Sequence, residues 1–228
     1  MNLLAIDTST DFCSVAASRD RELFHRHEPA AQRQAEMVLG MLDAVLAQAQ
    51  LEFTHIDGIA FGAGPGSFTG LRIAAGVAQG LALARGVGVV GVGTLLALAE
   101  SVAEESEDDR IICCLDAHMG EVYHAAYRKV GDGWEEVFAP NLYNPGAVPV
   151  MPGGAWIGCG SGFAVHGDRL AARLAGCVSG VRPEAVPTAR AVLRLAMPRF
   201  AAGEAADAAA AVPIYLRDRV AFRTGERR

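Results

Sequence analysis

Gly62-Ala63-Gly64-Pro65-Gly66-Ser67-Phe68-Thr69-Gly70-Leu71-Arg72-Ile73-Ala74-Ala75-Gly76-Val77-Ala78-Gln79-Gly80 is the stretch whose reading decides the fold. An apolar strand over residues 56–61 runs into it, and a nearly all-apolar helix leaves it. Glycines permit positive φ and close backbone approach, and Ser67 or Thr69 can cap the new helix. Two readings of the loop stay open: main-chain N–H groups aimed at an anion, or a tight strand-to-helix turn that binds nothing.

The helix carries Leu71, Ile73, Ala74, Val77, Ala78, Leu81 and Leu83, interrupted by Arg72, Gln79 and Arg85. A surface helix is apolar along one stripe, so this one needs cover on two sides. Its own sheet is one cover; a helix, a domain or a partner chain must be the other. Gly76 and Gly80 lie on one face and cost about 1 kcal/mol each against alanine in a helix. Their use is to let another backbone come close.

Outward from this stretch, composition narrows the classes. The chain has 228 residues, half of them apolar, enough for one large or two small domains. Its net charge of −6 argues against a broad nucleic-acid surface. Five cysteines, an odd number set mostly in apolar runs, read as buried reduced thiols of a cytoplasmic protein. The first residues lack a basic leader pattern and read as a strand, and no uncharged stretch is long enough to span a bilayer.

Strands are predicted at 3–6, 13–17 and 22–27 as an antiparallel meander. An amphipathic helix at 34–50 follows, with Met37, Val38, Met41, Leu42, Val45 and Leu46 at helical spacing. After the glycine loop and its helix come a strand at 87–92 and a helix at 94–103, capped by Thr94. The acidic run 104–109 reads as a solvated boundary. The order then restarts: a strand at 111–115 ends at Asp116 as the first ends at Asp7, with strands at 121–127 and 134–138 behind it. A Pro/Gly-rich connection at 140–152, a strand at 156–159, a glycine loop at 158–162 and helices at 163–174 and 188–200 complete the pattern. The expectation is an α/β chain of two similar domains, 1–106 and 107–228, whose C-terminal segment is able to pack back on the first. The tail from Arg217 to Arg228 is basic.

Asp7, Thr8 and Ser9 with Gly64, Gly66, Ser67 and Thr69, faced by Asp116, make a candidate nucleotide-phosphate and magnesium site. Turn-capping by each aspartate is the competing reading. The six histidines show no helical i, i+4 pair, and there is no Cys-x-x-Cys, nucleophile elbow or P-loop lysine. No metal site, cofactor or catalytic residue is assigned.

Four strings are more specific. Gly64-Pro65-Gly66-Ser67-Phe68-Thr69-Gly70-Leu71-Arg72-Ile73, the N-terminal Ile6-Asp7-Thr8-Ser9, Asp116-Ala117-His118-Met119-Gly120-Glu121-Val122-Tyr123 and Pro213-Ile214-Tyr215-Leu216-Arg217 together resemble the bacterial TsaB (YeaZ-like) family of tRNA threonylcarbamoyladenosine biosynthesis proteins. The resemblance implies the tandem RNase H-like fold of the actin-like ATPases, sugar kinases and heat-shock chaperones. It implies a non-catalytic partner of the paralogous transferase TsaD, which modifies the adenosine beside the anticodon in tRNAs reading ANN codons. The ATPase TsaE completes the assembly, and tRNA is reached only through the complex. The catalytic paralogue carries a His-x-x-x-His metal pair where this chain has Thr94 and Leu98. Gln34 and His118 also depart from the family pattern, which has histidine and arginine there. In the family the two N-terminal-domain helices form the surface for TsaD, or for a second copy when TsaD is absent. The interface residues implied here are Met37, Met41, Leu42, Val45, Leu71, Ala74, Ala75 and Ala78. An ATP-dependent small-molecule kinase of the same superfold is the rival reading.

Overall fold

Leu3–Asp7 (β1) is buried along its whole length because both faces are covered. Leu4 and Ile6 point to one apolar cluster, Leu3 and Ala5 to another. β1 pairs antiparallel with β2 (Phe12–Arg19), and β2 with β3 (Glu22–Pro29). On its other side β1 runs parallel to β4 (Gly58–Gly64), and β4 parallel to β5 (Gly88–Gly93). The sheet order is β3-β2-β1-β4-β5. The edge strand β3 is polar, with Arg26, His27 and Glu28, which blunts strand addition there.

The second sheet repeats this plan. β6 (Arg110–Asp116) pairs antiparallel with β7 (Val122–Val130), β7 with β8 (Gly133–Tyr143), and β6 runs parallel to β9 (Trp156–Cys159). β10 (Val178–Arg182) closes the order β10-β9-β6-β7-β8, a match to the first sheet strand for strand. Two sheets of identical order, each three antiparallel strands followed by two parallel ones, are the duplication expected from the sequence pattern and the tandem RNase H-like fold implied by the resemblance. The computed structural model describes residues 1–106 and 108–217; the basic tail, residues 218–228, lies outside the described residues.

Helices cover both faces. α1 (Gln34–Ala49) and α2 (Phe68–Arg85) lie on one face of the first sheet, over Leu4, Ile6, Ile59 and Phe61. The opposite face is built from Ala5, Ala16 and Ala60, small enough for α5 (Ala189–Ala201) to lie close with Val192, Leu193 and Ala196. Thus the closing helix packs on the first sheet. α4 (Ser161–Arg173) covers one face of the second sheet through Phe163 and Leu170. α3 (Thr94–Glu105) sits between the sheets: Leu95, Leu98 and Ala99 face the second, Ala97 the first. No helix among the described residues is long and apolar enough to cross a membrane.

Several expectations shift. The strand predicted at 56–61 runs instead from Gly58 to Gly64, because Gly62 and Gly64 still pair with Val92 and Gly93. The true turn is therefore only Pro65, Gly66 and Ser67. Thr94 is not a cap; Gly93 holds that position, and the Thr94 hydroxyl accepts the Gly64 N–H at 3.1 Å. The acidic run is only partly solvated. Glu104 has its side chain buried against Arg190 and Arg194 of α5, with Arg194 Nε 2.7 Å from its carboxylate. β10 had no counterpart in the sequence reading, being a five-residue edge strand interrupted by Gly180. All five cysteines are buried and unpaired.

Candidate functional site

The end of β1 and the start of α2 are built as one unit. Ser67 caps α2, accepting the Gly70 N–H, and Leu71 N–H bonds to the Ser67 carbonyl. Ser67 N–H in turn donates to Ser9 O at 2.8 Å, and the Thr8 hydroxyl donates to Gly70 O at 2.7 Å. Thr8 and Ser9 thus meet Gly66, Ser67 and Gly70, and Asp7 lies against Gly62; Gly64 instead meets Thr94 and Ile214, and Thr69 is exposed on the first turn of the helix.

What meets the glycines is informative. A Cβ on Gly62 would lie 2.0 Å from Asp7 Oδ2, one on Gly66 2.5 Å from Ser9 O, and one on Gly70 1.8 Å from Thr8 O. Gly64, at φ +120°, would meet Ile214 O at 2.5 Å. The chain's own oxygens press on the loop at all four positions. The amides of Gly64, Ser67, Gly70 and Leu71 are already bonded within the protein. Such a loop offers few free donors to an anion and surrounds itself with acceptors, so its glycines are used for close packing.

Asp7 is 1% exposed. Its Oδ1 accepts from the Ser9 amide at 3.0 Å and the Ser9 hydroxyl at 2.7 Å, while Oδ2 has no partner among the described residues. Burial outweighs these two bonds and pushes the carboxyl up to about 6.

Asp116 is the counterpart in the second half. Ser161, opening α4, accepts the Asp116 N–H at 3.0 Å, while Gly160 and Gly162 pack against the Cys114 backbone. His166 Nε2 lies 3.2 Å from Asp116 Oδ1, and His118 Nδ1 3.1 Å from Oδ2. The His166 contact had no signal in the sequence, because fifty residues separate the partners. Each aspartate is therefore joined to the glycine loop of its own half. No cluster of three or more metal-ligating side chains is present among the described residues. Thr94 and Leu98 are both fully buried. A groove of about 320 Å³, walled by Phe163, Leu170, Leu174 and Val181, lies between α4 and β10.

The helix face needs a correction. Met41, Leu42, Val45, Leu71, Ala74, Ala75 and Ala78 all point into the chain's own core, so their side chains are not available to a partner. A helix on a sheet hides its most regular apolar stripe, and periodicity cannot distinguish that stripe from an interface. Only Met37 of the expected set is partly exposed. The outward surface instead presents Leu39 at 55% and Leu83 at 75% exposure, with Ile73, Val77 and Leu81 partly exposed along the seam. Gly76 and Gly80 lie on this face, and a Cβ added at either meets nothing within 4 Å. Part of the second cover that α2 called for comes from within the chain, from α1 on one side and from Ala208 and Ala211 on the other, and the face with Gly76, Gly80 and Leu83 stays uncovered among the described residues.

Comparison with known proteins agrees with this architecture. The family model described as "TsaD: tRNA N6-adenosine threonylcarbamoyltransferase" matches residues 27–221. TsaB of Escherichia coli K12 is 34% identical, the match covering 98% of this chain and 97% of that protein. TsaB of Haemophilus influenzae is 33% identical over 98% and 96%. The solved structure of YeaZ from Pseudomonas aeruginosa superposes with a TM-score of 0.88 at 34% identity, covering 94% of this chain and 99% of that one. Shared sequence along nearly the full length, on a shared backbone, places this chain in the TsaB family of tRNA threonylcarbamoyladenosine biosynthesis proteins.

Proposed function

We propose that this chain is a cytoplasmic, non-catalytic subunit for threonylcarbamoylation of the adenosine beside the anticodon in tRNAs reading ANN codons. It docks a TsaD-type transferase through the outward face of α1 and α2, with a TsaE-type ATPase joining the complex and tRNA engaged only by the assembly. A second copy takes the same face when the transferase is absent. The observation that carries this reading is the exposed Leu39 of α1 together with the uncovered Gly76, Gly80 and Leu83 of α2. An apolar face interrupted by glycines suits close packing against another helix, because no side chain holds the backbones apart. The buried Thr94 and Leu98 support a non-catalytic role: the hydroxyl of one is bonded to the Gly64 amide, and leucine has no ligand atom.

The test is light scattering after size-exclusion chromatography of this chain mixed with the TsaD-type protein of the same organism. A stable heteromeric complex is expected, with excess chain eluting as a dimer. Gly76→Glu with Gly80→Glu should abolish the complex, and tRNA modification by the reconstituted system with it, while leaving the circular dichroism of the chain unchanged. A complex that forms undiminished with the doubly substituted chain rules out this face.

A further inference from the structure

Residues 213–217 cross from one half of the molecule to the other. Ile214 N–H donates to Ala63 O at 2.7 Å, at the end of β4. Tyr215 accepts from Arg72 Nε at 3.0 Å, and its ring lies 5.7 Å from that of Phe68. The Arg72 guanidinium sits 3.8 Å over the same Phe68 ring, closing a three-membered stack at the first turn of α2. Two residues later Arg217 reaches the β6–β7 turn of the second half. Its Nη2 donates to Glu121 Oε2 at 2.6 Å and Nη1 lies 3.1 Å from Met119 Sδ, with the arginine side chain only 12% exposed.

Pro65, Gly66, Leu71 and Tyr123 flank this segment and leave a recess of about 20 Å³. That is room for roughly one water, far below the several hundred Å³ of an ordinary small-molecule site. We propose that residues 213–217 are an intramolecular latch that fills the interdomain cleft beside the glycine loop and fastens α2 to the turn of the second half. The glycine at 64 fits this role, since Ile214 O occupies the space a side chain would need. Ile214 and Tyr215 keep about half their surface in solvent, so the latch is able to lift without opening either core. Any phosphate-bearing ligand approaching Gly64, Gly66 and Ser67 has to displace it. This inference stands apart from the partner reading, because it concerns contacts within one chain.

Hydrogen exchange of the full-length chain, read by mass spectrometry over peptides containing Ile214 and the 63–67 loop, tests it. The Ile214 amide should exchange slowly in the parent chain and at least about tenfold faster in Arg217→Glu and in Glu121→Arg. Combining the two substitutions restores the ion pair with its charges reversed and should recover slow exchange, an outcome that a misfolded variant cannot give. Unprotected Ile214 in the parent chain, or protection indifferent to Arg217→Glu, overturns the latch. Millimolar Mg–ATP supplies the second arm. It should leave the parent chain unchanged, or protect the loop only while accelerating Ile214. Loop protection with Ile214 still slow would show that the latch does not fill the cleft.

Discussion

Asp7 is the residue whose chemistry is most altered by the fold. Its second oxygen has no partner among the described residues, and Gly62 leaves space for it only by lacking a side chain. The folded carboxyl holds its proton up to about pH 6, against 3.8 for the ordinary group. The folded chain therefore binds this proton more tightly than the unfolded chain does. Stability from that preference is complete below pH 4 and is lost as pH rises through 6, so ionised Asp7 is a burden at neutral pH. Asp7→Asn keeps an acceptor for Ser9 and removes the charge. Urea denaturation should show the variant more stable by about 1–2 kcal/mol at pH 8, after allowance for its unpaired amide, with the advantage gone at pH 4. His124 is the reverse case. It is fully buried beside Tyr143 and Phe138 with neither ring nitrogen bonded among the described residues, and burial lowers its pKa to about 4, so it stays neutral.

At the scale of the element, α2 shows how a helix divides its residues between two tasks. Ala74, Ala75, Ala78 and Ala82 are small, buried and turned to the sheet, and Gly76, Gly80 and Leu83 are turned away from it. Two substitutions two residues apart should thus behave differently. Ala78 is 0% exposed, so Ala78→Glu sets an unpaired charge against the sheet and should cost roughly 3–5 kcal/mol. Gly80→Glu adds a side chain into open space and removes a helix-weakening glycine, with an expected gain of up to about 1 kcal/mol. Differential scanning calorimetry of the two variants separates these outcomes; equal destabilisation would contradict the burial pattern. The glycine loop has a comparable division of labour. Its sequence suits an anion cradle and a tight turn alike, and the oxygens of Thr8, Ser9 and Ile214 against it favour the turn.

Across the whole molecule, α3 makes the two halves one body. Leu95 and Leu98 enter the second sheet's core, Ala97 enters the first, and Ser101 hydrogen-bonds Thr188 at the cap of α5 at 3.0 Å. Glu100, with its side chain nearly buried, accepts from Trp134 Nε1 at 2.8 Å and lies 3.5 Å from Lys129 and 3.7 Å from Arg194. Charges from α5 and from the β7–β8 hairpin thereby converge on one helix. Leu98→Ala should cost about 2–5 kcal/mol through the cavity it leaves. Because α3 serves both cores, far-UV and near-UV signals of the variant should still lose structure in one coincident transition. Two separated transitions would show that the halves are energetically independent.

Most of the element order was legible in the sequence, as was the restart of the strand pattern at residue 111, while the edge strand β10 was missed. The order and its restart follow from local pattern: apolar runs and helical spacing. The four strings quoted from it also led to the TsaB family. Tertiary structure alone decided which face of α1 and α2 is inside, since Met41 and Ala78 sit at helical spacing whether they meet a sheet or a partner. It alone decided that the loop glycines meet backbone oxygens, that α5 returns to the first sheet, and that Arg217 finds Glu121 across the cleft. Each of these is a contact between residues distant in the chain, selected by the free energy of packing the whole, and no local preference encodes it.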